Sequence, residues 1–372
     1  MDKELNNKLG LYLHIPFCKT ICSYCDFPKL VSKRENQKKY IDFLVDSIYN
    51  NMVRLKNVDT IYIGGGTPNA IDLDLLEEIL IPIAPLLKKA KESSIELNPE
   101  LVTEKLCSLL HKYNINRASL GVQTIKDSSI TLLNRHHNKE IVEKAVAMLK
   151  DAGISNINID LIFGIPGTAI SDVEADLDFA VSLKPKHISY YSLILEDKTV
   201  FNYLYNKHRL TLLDDDDIAD MYDYINMRLA KEGFHHYEIS NYAIPGYESK
   251  HNLKYWNCDD YLGLGLGASS LYKGRRFTSS YKMEGYYNNM LEEDIILSEH
   301  EKKNEFMMLG LRKVDGIKIS EYQRRFNSTP FLDFNLDNLI KNKLIDVNDD
   351  TIRINKDKLF IANLIFEEFV GD

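Results

Sequence analysis

The sequence predicts an α/β fold: a partial (βα)6 barrel followed by a C-terminal domain of mixed helical, winged-helix-like character. Three observations carry this reading. Six short runs rich in β-branched and aromatic residues alternate with amphipathic helical stretches through the first half of the chain. The glycine-, proline- and cysteine-bearing motifs of that half fall at the ends of those runs, where the reactive residues of parallel βα sheets gather. After about residue 200 the alternation stops, and the chain ends in three helices, two short strands around an Asn-Asp-Asp turn, and a last helix.

Taken in order, the strands are expected at Leu11–Ile15, Thr60–Ile63, Ser94–Leu97, Arg117–Gly121, Asn156–Ile162 and His187–Ser192. Between them "KKYIDFLVDSIYNNM", "DLDLLEEILIPIAPLLKKA" and "EIVEKAVAMLKDAG" repeat apolar residues at helical spacing. This organises the chain as a barrel domain over 1–200, a connecting segment over 201–299 and a C-terminal domain over 300–372. In the connecting segment, "LLDDDDIADMYDY" reads as the acidic first turn of a helix, favoured by the helix dipole. The aromatic, glycine-rich stretch from Tyr237 to Ser270 reads as loop-rich.

Composition excludes several classes. With 44% hydrophobic and 27% charged residues, the chain has an ordinary globular balance and a length sufficient for a large core. A net charge of −9 without a basic stripe argues against nucleic acid as a partner and leaves the winged-helix-like domain as a packing or interaction module. No run of about 18 apolar residues spans a membrane. "MDKELNNKLG" contains no apolar signal core, so a cytoplasmic location is expected.

Five cysteines, an odd number, argue against a disulfide framework. Cys18, Cys22 and Cys25 stand in a C-x3-C-x2-C pattern just after the first strand. Three thiolates can each hold one iron of a 4Fe–4S cluster and leave the fourth iron open to a small chelating molecule. S-adenosylmethionine suits that position, because its amino and carboxylate groups form a bidentate ligand and its sulfonium accepts one electron. The alternative is tetrahedral zinc, for which His14 is the nearby fourth ligand. Cys107 sits at an apolar helical position and reads as core. The pairs His136–His137 and His235–His236 are adjacent in sequence, so their rings diverge, and both read as structural.

With Tyr24 before the third cysteine, the pattern C-x3-C-x-aromatic-C resembles the signature of the radical-SAM superfamily. "GGGTP" (Gly64–Pro68), one βα unit later, matches the loop that receives the methionine amino group in that family. The resemblance is closer to the oxygen-independent coproporphyrinogen oxidase-like branch, and runs through "LYLHIPFC", "IELNPE", "RASLGVQT", "LLNRHH", "DLIFGIPG" and "YEISNYA". It implies that Tyr12, Tyr24, Gly65 and Glu96 contact S-adenosylmethionine. Gly66, Thr67, Gln123, Arg135 and Asp160 match further contacts, in part to a second such molecule. Gly65→Val is expected to block that binding and spare the iron.

Two features separate this chain from the porphyrinogen oxidases of the branch. Phe27 stands where they carry another cysteine, and 17 residues precede Cys18 where they have a long extension. Both match the haem chaperone branch, as does "HNLKYW" (His251–Trp256), an intact H-N-x-x-Y-W motif. This resemblance implies haem as cargo, with His251 as the axial imidazole, Tyr255 and Trp256 flanking the porphyrin, and Cys258 as a substitute thiolate. The other reading of the motif is packing of the second domain onto the barrel. The function implied is haem binding and delivery to acceptor haemoproteins, membrane-associated ones included, from the cytoplasm or peripherally through a partner. A homodimer is left open. The alternatives are an oxygen-independent coproporphyrinogen III dehydrogenase, and a redox-inert zinc or adapter protein.

Overall fold

A computed structural model describes residues 8–370. Six parallel strands form its centre in sequence order: β1 (Leu9–Ile15), β2 (Val58–Gly65), β3 (Glu92–Leu97), β4 (Arg117–Gln123), β5 (Asn156–Phe163) and β6 (His187–Ser192). The expected strands are all present, each within three residues of its predicted ends. Helices α1 (Arg34–Asn51), α2 (Leu73–Leu87), α3 (Glu104–Lys112), α4 (Asp127–Leu132), α5 (Lys139–Asp151) and α6 (Ile170–Ser182) connect them. Asn138 caps α5 by accepting from the Ile141 amide at 2.9 Å. Cys107 lies buried in the core, as its helical position suggests.

The alternation along each strand explains the layering. Ile61 and Ile63, Ile95 and Leu97, Leu120 and Val122, and Ile157, Ile159 and Leu161 are buried in the continuous hydrophobic core. The residues between them point to the opposite face. That face carries Thr60 and Tyr62, Glu92 and Glu96, Arg117 and Ser119, Asn158 and Asp160, and His187 and Ser189. They bond to one another across strands, as Ser119 does to Asp160 at 2.8 Å and Asn158 to His187 at 2.6 Å. The sheet therefore has an apolar outer face and a polar inner one.

The segment read as loop-rich is more ordered than expected. After α7 (Val200–Asn206) and α8 (Asp215–Lys231), the chain forms β7 (His235–Glu238), β8 (Asn241–Ala243), α9 (Lys250–Trp256), β9 (Tyr261–Leu264), β10 (Ser269–Tyr272) and β11 (Arg275–Ser279). Helix α10 (Met283–Tyr287) and β12 (Leu291–Ile296) follow. β9 pairs parallel to β1, and the open sheet runs β12-β11-β10-β9-β1-β2-β3-β4-β5-β6-β8-β7. The aspartate run forms the first turn of α8, with Arg228 and Lys231 in its last turn, as the dipole favours.

In the C-terminal region, α11 (Glu299–Gly310) opens with a Ser298–Glu301 capping box. Helices α12 (Ile319–Phe326), α13 (Pro330–Asp333) and α14 (Asp337–Lys341) lead to the expected hairpin, β14 (Ile345–Asn348) and β15 (Thr351–Ile354). A two-residue strand, β13 (Ile317–Lys318), joins β15 to complete a small sheet, and α15 (Ala362–Phe366) follows. Among the described residues, no helix is long and apolar enough to cross a membrane.

Candidate functional site

The cysteine loop hangs from the end of β1 and is pinched at its base. Cys18 donates its amide to Leu30 at 3.0 Å, and Leu30 donates back to Pro16 at 2.7 Å. A second clamp comes from the turn after α4. Asn134 Nδ2 donates to the Ile21 carbonyl at 2.8 Å and Ser23 donates its amide to Leu133 at 3.1 Å. Arg135 reaches from the same turn to Cys22 Sγ at 3.6 Å and to Asn98 Oδ1 at 2.9 Å, and also donates to the Gly121 carbonyl. Thr67 Oγ1 lies 3.6 Å from Cys18 Sγ. Burial pushes the Cys18 thiol up and that of Cys25 to about 11. Thiolates there require a compensating cation.

The glycine loop is shaped by the same neighbours. Gly65 has φ +119°, and a Cβ on it would stand 2.7 Å from the His14 ring. A Cβ on Gly66 would meet the Pro16 carbonyl carbon at 2.8 Å and Cys18 Sγ at 3.0 Å. A side chain at Gly65 would therefore press on His14 as well as narrow the cavity that Gly65 lines. Val at this position would thus strain His14, which supports the cysteine loop, in addition to any effect on a bound ligand. His14 is held on both ring nitrogens, by the Tyr12 hydroxyl at 2.9 Å and the Pro28 carbonyl at 2.8 Å. That leaves it no free nitrogen for zinc.

Glu96, at the end of β3, accepts from the Gly65 amide at 3.0 Å and the Tyr62 hydroxyl at 2.8 Å. Burial raises its carboxyl to about 7 against the lowering effect of both bonds. Asp160, two strands over on the inner face in β5, is raised by burial and accepts from Ser119 at 2.8 Å and Asn158 at 2.7 Å. Gln123 takes φ +68° at a bulge in β4, which aims its side chain back toward Gly121 and Arg135.

A cavity of about 440 Å³ at the C-terminal ends of the strands gathers these groups. Cys18, Cys22, Tyr24, Cys25, Gly65, Gly66, Thr67, Glu96, Gln123, Arg135 and Asp160 all line it. Tyr62, Asn98, Ser119 and Tyr191 also line it and were not singled out from the sequence. Their signal was the polar residue at every second strand position. Phe27, 61% exposed, and Ile194, 63% exposed, give the mouth an apolar rim.

Two expected site residues lie elsewhere. Tyr12 is half-buried below the cavity, with its hydroxyl on His14. His251 lies in α9, across the N-terminal ends of β1–β3, and is fully buried. Its Nδ1 bonds Thr60 Oγ1 at 2.9 Å, its Nε2 bonds the Tyr255 hydroxyl at 2.8 Å, and its ring stacks on Tyr62. Both ring nitrogens are thus engaged in this geometry, whereas an axial ligand to haem iron needs one of them free. The packing reading of the motif fits better, since Arg312 of the C-terminal region lies 4.5 Å over the Trp256 ring. Cys258 is partly buried, and burial pushes its thiol up to about 12. His136 is exposed while His137 is buried against the Thr124 carbonyl, and His236 stacks on Tyr242, so neither pair converges. Among the described residues, no three His, Cys, Asp or Glu side chains stand close enough to grip a single ion together. A cluster that takes one thiolate per iron does not require that closeness.

Comparison with known proteins follows the same division of the chain. Residues 12–180 match the model of the radical SAM superfamily, and residues 297–357 match the HemN C-terminal domain. The chain is 36% identical over 369 residues to the haem chaperone HemW of Lactococcus lactis, covering 97% of each chain. It is 32% identical over 374 residues to the haem chaperone HemW of Bacillus subtilis, covering 97% of this chain and 99% of that one. Among solved structures, the coproporphyrinogen III oxidase of Escherichia coli superposes with a TM-score of 0.83 over 98% of this chain and 90% of that one, at 21% identity.

Proposed function

Because the chain belongs to the radical SAM superfamily, in the HemW family of haem chaperones, we propose that it binds haem and delivers it to acceptor haemoproteins. The observation that carries this reading is the end-to-end likeness to the haem chaperones, at 36% identity over 97% of both chains. The porphyrinogen oxidase shares the fold at 21% identity, and Phe27 stands two residues after Cys25 where the oxidases were expected to carry cysteine.

Cys18, Cys22 and Cys25 would hold a 4Fe–4S cluster. Three thiols around one cavity, with His14 occupied on both nitrogens, suit a cluster with one open iron better than zinc. Gly65, Gly66, Thr67, Tyr24, Glu96, Gln123, Arg135 and Asp160 would then receive S-adenosylmethionine. One-electron reduction of the sulfonium is the chemistry this pair supplies when bound. The protein's own residues orient the ligand. Glu96 and Asp160 accept from ammonium or ribose hydroxyls, and Arg135 both pairs with a carboxylate and ties Cys22 to the β3 end. The apolar rim at Phe27 and Ile194 suits the flat face of a porphyrin. Delivery to membrane-associated acceptors would run through contact with the acceptor.

The deciding experiment gives the reconstituted protein haem with an apo-haemoprotein, and separately coproporphyrinogen III with S-adenosylmethionine and a reductant. Haem transfer without carbon dioxide release is expected. Sustained decarboxylation would establish the dehydrogenase reading instead.

A further inference from the structure

We infer that the H-N-x-x-Y-W helix is a positioning element for the cofactor loop, with His251 acting through Tyr62 and Glu96 to hold the Gly65 amide in place. The helix and the loop lie at opposite ends of the same strands, and one unbroken series of side chains joins them. Glu92, at the start of β3, anchors the helix by accepting from the amides of Lys250 at 2.9 Å and His251 at 3.0 Å. The His251 ring is then fixed by Thr60 and Tyr255, and lies flat on Tyr62 with centroids 5.4 Å apart and planes inclined by 29°. Tyr62 donates to one oxygen of Glu96 at 2.8 Å, and the other oxygen takes the Gly65 amide at 3.0 Å.

Simple packing explains Trp256 against Arg312, but it does not call for a neutral imidazole with both nitrogens engaged on the inner face. A buried ring so held has one orientation, and that orientation selects the Tyr62 rotamer that reaches Glu96. Without the His251 ring, Tyr62 gains room to turn, and Glu96 loses the donor that competes with solvent for its second oxygen. His251 is thereby a positioning residue and touches no cofactor.

The inference rests on the S-adenosylmethionine reading of the cavity, so its test separates the two. S-adenosylmethionine affinity would be measured on cluster-reconstituted wild type, His251→Ala, Tyr62→Phe and the double variant, with hydrogen exchange of the Gly65–Thr67 amides followed in parallel. Arg312→Met, which removes the cation over Trp256 and Phe366 and near Glu238 but leaves His251, Tyr62 and Glu96 in place, is the control. Each single variant should weaken affinity by about fivefold to tenfold, with iron and haem binding unchanged. The double variant should be no weaker than the worse single one, because both act on Glu96. Exchange at Gly65–Thr67 should quicken in His251→Ala and not in the control. If His251→Ala does not fold, His251→Gln, which keeps polar atoms and loses the stack, takes its place with the same expectations. Unchanged affinity and exchange, or additive losses, would overturn the inference. So would loss of haem with S-adenosylmethionine binding intact, which would restore His251 as an axial ligand. A wild type that takes up no S-adenosylmethionine would refute the cofactor reading, while the exchange comparison would still decide the positioning role.

Discussion

Substituting Gly65 by alanine separates backbone strain from contact strain at the centre of the site. At φ +119° a non-glycine residue costs about 1–3 kcal/mol by conformation alone. The new Cβ would also stand 2.7 Å from the His14 ring, which cannot retreat without breaking its bond to Tyr12 at 2.9 Å or to Pro28 at 2.8 Å. Losing one buried bond adds about 1–3 kcal/mol, for a total of about 2–6 kcal/mol. Gly167 provides the comparison. It has φ +77° and no atom within 4 Å of its missing Cβ, so Gly167→Ala incurs only the conformational cost of about 1–2 kcal/mol. Urea unfolding of the two variants, read as midpoint shifts at constant slope, should therefore differ. Gly65→Ala should also retain less iron, because His14 supports Pro28 at the base of the cysteine loop. Equal midpoint losses with full iron retention in both would refute the reasoning, and would show that the His14 contact carries no strain.

Glu96 gives a pH signature of known sign. Its folded pKa of about 7 lies above that of an unfolded glutamate, so the native state binds the extra proton and stability falls as pH rises from about 4.5 to about 7. Glu96→Gln should remove a loss of about 3 kcal/mol across that window, measured as the difference between variant and wild-type unfolding at each pH; parallel profiles would contradict the assignment. Arg135→Lys keeps the charge and loses the fork that reaches Cys22, Asn98 and Gly121 together. It should lower stability by about 1–3 kcal/mol and weaken S-adenosylmethionine binding, and a variant indistinguishable from wild type in both would remove Arg135 from the site.

The parts of this molecule legible in its sequence are those whose signals are local. Each parallel strand is long enough to show its pattern, and the cysteine and glycine motifs sit beside their own strands. β9 is not legible because its four residues hold too little periodicity, and its partner β1 lies some 250 residues earlier. The H-N-x-x-Y-W motif was legible as a motif but not as a place. Its burial is set by Thr60 and Glu92, 191 and 159 residues away. Tyr62 and Ser119 are hidden in the sequence for a different reason. Alternation in a strand usually turns polar residues to solvent, whereas here the polar face lines the interior. Glu96 and Asp160 came from resemblance, and the structure supplies the physical account: both belong to that inner face, where burial and cross-strand donors hold them at the cavity.

The most direct test of the account is the metal content of the anaerobically reconstituted chain, with Cys18, Cys22 and Cys25 all changed to alanine as the reference. Wild type should hold about four irons per chain and show a broad visible absorption that is absent from the triple variant. Stoichiometric zinc with no iron uptake, or equal iron in both proteins, would contradict it.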